Sequence, residues 1–82
     1  VEATISLGFM PGFAAYNEMH NELWVTDPDN GKVHYWTKDA TTWTHGGVFN
    51  TGAGAHAIAF TSDEMKAYVT NQADASVSVV NV

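Results

Sequence analysis

Apolar and polar positions alternate over short runs along the whole chain. The runs are four to seven residues long and rich in Val, Thr, Tyr, Trp and Phe, and each is closed by Gly, Asn, Asp or Pro. No stretch keeps the i, i+3, i+4, i+7 apolar stripe of an amphipathic helix, so the pattern predicts an all-β chain. The predicted strands are Glu2–Leu7, Phe13–Asn17, Glu22–Thr26, Lys32–Lys38, Thr42–Asn50, His56–Thr61, Lys66–Thr70 and Ser76–Val82. Polar links such as 17–21 and 62–65, and the reversal Asp27-Pro28-Asp29-Asn30-Gly31, are short enough for each strand to pair antiparallel with the next. The last run carries Val77 and Val79 on one face and Val80 and Val82 on the other, so both of its faces call for cover.

The chain also matches itself at an offset of 44 residues. Gly8 falls on Gly52, Ala15 on Ala59, Tyr16 on Phe60, and Trp24-Val25-Thr26-Asp27 on Tyr68-Val69-Thr70-Asn71. Asn30 falls on Asp74, and Val33 and Tyr35 fall on Val77 and Val79. Aromatic lands on aromatic and turn residue on turn residue without a gap. Four-stranded units of about this length are the repeat of β-propeller blades. The segment Gly-Ala-His-Ala-Ile-Ala-Phe-Thr-Ser-Asp-Glu-Met-Lys-Ala-Tyr-Val-Thr-Asn at 54–71, followed by Ser76-Val77-Ser78-Val79-Val80, resembles the YVTN β-propeller repeat. The first unit, with Gly8, Pro11 and Leu23-Trp24-Val25-Thr26-Asp27, resembles it more distantly. The second departs from the pattern at Ala55, where the family usually has Pro, and at Glu64, where it has the turn Gly.

The resemblance implies two four-stranded antiparallel blades running from an inner strand to an outer one. Residues 12–50 form a complete blade, and 55–82 supply three strands of the next. Residues 1–7 are the outer strand of a preceding blade, so the second blade is completed by the N-terminal strand of a neighbouring chain or blade. Two such units leave apolar sheet faces and a strand edge in water. Cover is therefore expected from outside: either head-to-tail self-association, with three or four chains closing a six- or eight-bladed ring, or the remaining blades of a longer parent chain. A chain that begins at Val1 rather than Met is expected to be a processed or excised piece.

Composition narrows the partners. Three Lys and Arg against nine Asp and Glu give a formal net charge of −6, which repels nucleic-acid phosphates and anionic headgroups. No apolar run is long enough for a membrane span, and the absence of Cys removes disulfides, thiolate metal sites and a thiol nucleophile. His20, His34, His45 and His56 show no metal-binding spacing, so any imidazole site must assemble in space. His56, at the start of an inner strand near the channel mouth, and His45 are the candidate metal ligands. Packing is the competing role for both. Trp36 and Trp43, beside a hairpin, are the candidate exposed binding pair, the other aromatics being assigned to the core. No cofactor is predicted, with a metal ion as the alternative.

No nucleophile elbow, phosphate cradle or acid/base pair stands out, so no catalytic residue is assigned. The expectation is a non-catalytic propeller module, a scaffold or binding platform for a protein or glycan. The resemblance implies an extracellular or periplasmic setting. The alternatives are part of a periplasmic redox or metal-binding propeller with a His site at the channel mouth, and a structural subunit of a surface layer or filament.

Overall fold

The computed structural model of the chain describes residues 4–40 and 42–82. Seven strands follow one another: β1 (Ala14–Asn17), β2 (Glu22–Asp27), β3 (Lys32–Asp39), β4 (Thr42–Asn50), β5 (Ala55–Phe60), β6 (Lys66–Asn71) and β7 (Ser76–Asn81). They build two antiparallel meanders, β1-β2-β3-β4 and β5-β6-β7, with no helix among the described residues. The predicted strand Glu2–Leu7 differs. Glu2 and Ala3 lie outside the described residues, and residues 4–7 carry no ladder.

The two meanders share one register at a spacing of 44 residues. Ala15 faces Trp24 as Ala59 faces Tyr68, and Trp24 faces Tyr35 as Tyr68 faces Val79. Side-chain bonds follow the same spacing. The Phe13 N–H donates to Thr26 Oγ1 at 2.8 Å, and the Ala57 N–H donates to Thr70 Oγ1 at 3.0 Å. The β2–β3 and β6–β7 turns place Gly31 and Ala75 in the left-handed region, at φ 63° and 51°.

The core lies between the sheets. Trp24 and Val33 of the first sheet meet Ala55, Ile58, Ala67 and Val69 of the second, with Ala15, Tyr35, Phe49, Phe60, Val80 and Val82 around them. Trp24 holds Phe49 and Phe60 edge-on, each ring centroid 5.1 Å away. Because side chains alternate along a strand, this arrangement uses opposite faces of the two meanders. The Trp24, Val33 and Tyr35 face of the first packs on the Ile58, Val69 and Val80 face of the second. The residues of the second sheet that correspond to Trp24, Val33 and Tyr35 are Tyr68, Val77 and Val79, and they stand 43 %, 58 % and 61 % exposed.

Polar groups lock strands and turns together. Thr26 Oγ1 donates to the His56 carbonyl at 2.9 Å, so one hydroxyl ties β2 to β5 and to Phe13, just ahead of β1. The buried Asn71 side chain accepts from the Gly52 N–H and donates to Ser78 Oγ, both at 2.9 Å. Every buried side-chain polar atom among the described residues has a partner. In the β5–β6 turn, the exposed Asp63 carboxylate accepts from the Thr61 hydroxyl and the Met65 N–H, which hold its pKa below the ordinary 3.8. These bonds stabilise the turn fully above the ordinary value, and that contribution is lost as pH falls through the lowered one.

The left-handed backbone at Ala75 leads to a test. A non-glycine residue there costs about 1–2 kcal/mol, partly offset by the extra chain entropy glycine loses on folding. Ala75→Gly is expected to stabilise the fold by about 0.5–1 kcal/mol and raise the melting temperature by a few degrees, read by tryptophan emission on heating. Gly31→Ala, made at the corresponding turn, is expected to lower it.

Candidate functional site

The face of the first sheet turned away from the core carries the chemistry. Ladder alternation places Leu23, Val25 and Asp27 of β2 on this face, beside Lys32, His34 and Trp36 of β3 and Trp43 and His45 of β4. A β-bulge in β4 makes the last part possible. Tyr35 faces Gly47 but Trp36 faces His45, so Gly46 is an extra residue that resets the alternation. The Tyr35 ring lies against Gly46 so closely that a Cβ there would collide with it, which is why the bulge residue is glycine.

Residues 5–11 run across this face and divide it. One half is an apolar cleft of about 420 Å³ lined by Ile5, Leu7, Pro11, Leu23, Trp36 and Trp43, among others. Of the pair expected to be exposed, Trp43 is half-buried, while Trp36 is buried at 7 % exposure. The correction has a simple cause: Trp36 sits mid-sheet on β3 under the leading segment, whereas Trp43 begins the outermost strand. Tyr16 approaches Trp43 edge-on at 6.2 Å and Lys38 Nζ lies 5.3 Å from its ring centre, so Trp43 is held in place from two sides.

The other half is polar. Asp27, 2 % exposed, accepts from the Asn30 amide at 2.9 and 3.2 Å, which closes the β2–β3 turn. Its Oδ2 lies 3.5 Å from His34 Nε2, and His34 Nδ1 lies 3.4 Å from His45 Nε2. Phe9 stacks on the His34 ring at 4.3 Å and Trp36 is stacked at 6.2 Å, so the imidazole is fixed in its plane. These groups border a cleft of about 510 Å³ to which Ser6, Asn30 and Lys32 also contribute. Lys32 Nζ is engaged by Asn50 Oδ1 at 2.9 Å.

The two candidate metal ligands lie on different elements and keep different company. His45 meets His34 and Trp36, whereas His56 sits near Phe13, 6.5 Å between ring centres, and its carbonyl is the acceptor for Thr26. No group of three or more His, Asp or Glu side chains in metal-holding geometry occurs among the described residues. The spacing of His34 and His45 along the chain gave no hint of their meeting, because the diagonal contact depends on the bulge. Asp27 reads in the sequence as a turn residue, which it also is.

Burial sets different roles for the two tryptophans. Trp36→Ala is expected to cost about 3–5 kcal/mol, enough to unfold much of a small domain, while Trp43→Ala should cost less than half of that. Urea titration of the two variants checks the order.

Comparison with protein-family models, with curated proteins and with solved structures returned no match to this chain.

Proposed function

We propose that the chain is a two-blade wedge of a β-propeller that acts as a non-catalytic scaffold or binding platform, its open sides covered by further copies of itself. The supporting observation is how the two meanders pack. They meet through non-corresponding faces, so each unit presents to the next the face opposite to the one by which it takes the previous unit. Packing of that kind is heterologous and gives the pair two unlike end surfaces. One is the Tyr68, Val77 and Val79 face. The other is the Leu23, Val25 and Trp36 face, whose counterparts in the second unit, Ala67, Val69 and Val80, already receive the first sheet.

The leading segment supports the same reading. Ile5 and Trp36 both line the apolar cleft, while Phe49, 44 residues after Ile5, borders a cleft with Val80, the counterpart of Trp36. Residues 5–7 thus occupy, over the first sheet, the place that the end of β4 occupies over the second. In a closed ring this segment pairs with the free edge of β7 of the adjoining copy and supplies the strand the second meander lacks. Rigid sheets with short loops at their ends provide the platform, and the loops are where a protein or glycan partner is bound. The resemblance to YVTN repeats supports placing that platform outside the cytoplasm.

The test is the native mass of the full chain in solution, by light scattering after gel filtration. The expected result is three or four times 8.9 kDa, collapsing to a monomer in Val79→Lys. A well-dispersed monomer whose behaviour Val79→Lys leaves unchanged overturns the reading. Open-ended fibres in the electron microscope would show the same contacts without ring closure.

A further inference from the structure

The face of the first sheet turned away from the core holds more polar machinery than its architecture requires. In the second unit the corresponding pair is the buried Asn71 and the half-buried Ser78, an amide and a hydroxyl joined at 2.9 Å. That pair satisfies the buried polar position below the turn. In the first unit the same two positions carry Asp27 and His34, and His34 leads on to His45. A carboxylate behind one imidazole and a second imidazole in front of it are not needed to close a turn, since Asn30 already does so.

We propose that His34 and His45 form a two-imidazole chelate for a zinc-class divalent ion, with Asp27 as the positioning carboxylate. The distances suit this role. Two nitrogen ligands, each 2.0–2.1 Å from a tetrahedral ion, stand roughly 3.3–3.4 Å apart. His34 Nδ1 and His45 Nε2 stand 3.4 Å apart before any ion is bound. For His34 to offer Nδ1 as a lone pair, its proton must sit on Nε2, and the Asp27 carboxylate lies on that side. Carboxylate, imidazole and ion in line is the usual outer-sphere arrangement around zinc-bound histidine, fixing the tautomer and raising the basicity of the ligand.

Preorganisation is also present. Phe9 stacks on the His34 ring at 4.3 Å, with the Nδ1 edge of that ring 3.4 Å from His45 Nε2. His45 is exposed and rests edge-on against Trp36 at 5.1 Å, so the open side of the pair faces the polar cleft, from which water completes the coordination. Lys32, the cation bordering the cleft, is tied to Asn50. Imidazole ligands with water select zinc and its late first-row neighbours over calcium or magnesium, which take oxygen. Both imidazoles belong to one sheet of one chain.

Zn2+ titrated into the full chain tests this, with heat and the imidazole NMR resonances read together. One ion per chain is expected, with the His34 and His45 resonances shifting and those of His20 and His56 unmoved. His45→Ala changes an exposed side chain and is expected to weaken binding at least tenfold with the fold intact by circular dichroism. Asp27→Asn keeps the Asn30 turn possible through its remaining side-chain oxygen and is expected to weaken binding about ten- to a hundredfold without removing a ligand. Equal affinity in wild type and His45→Ala overturns the site. So does the absence of any shift of the His34 and His45 resonances at millimolar Zn2+, or binding lost in His56→Ala but kept in His45→Ala.

Discussion

The structure depends on one contact surface, where the Trp24 and Val33 side of the first sheet receives the Ile58 and Val69 side of the second. A chain this short buries little, and most of what it buries is there. Trp24 is the largest of these side chains, and its edge-on contacts with Phe49 and Phe60 bind the last strand of one sheet to the first strand of the other. Since the faces involved do not correspond, the contact cannot be self-complementary. The same geometry that stabilises the pair leaves the Tyr68, Val77 and Val79 face of the second sheet exposed.

Much of the fold is legible in the sequence. Period-two alternation and turn residues locate β1 through β7 to within a residue or two, and the 44-residue spacing reappears as shared ladder register. The leading segment is where the reading diverges. Its alternation fits a strand, but a strand exists only with a hydrogen-bonding partner, and residues 4–7 have an apolar sheet face beneath them instead of an edge beside them. Pattern describes a residue's preference for a pleated surface; the partner is a property of the assembly.

The site was less legible, for a different reason. Trp36 and Trp43 differ in sequence only by being on either side of a hairpin, yet one is central and covered while the other begins an edge strand. Nothing local distinguishes them. His34 and His45 are eleven residues apart, a spacing without meaning on a regular ladder, and they meet because of the irregularity at Gly46. Asp27 serves two purposes at once, and a turn motif announces only the first. Irregular backbone is thus where sequence periodicity stops informing about side-chain neighbours.

The bulge in β4 has a consequence for how this surface changes over time. With the added residue, Trp43 and His45 emerge on the side of Trp36 and His34, while Phe49 beyond it still reaches the core. Loss of that one codon would hold Phe49 in place yet send Trp43 and His45 through to the opposite side of the sheet. An insertion or deletion of a single residue at this point would therefore exchange which side chains of the strand's first half this face carries, a change that no single amino-acid replacement makes.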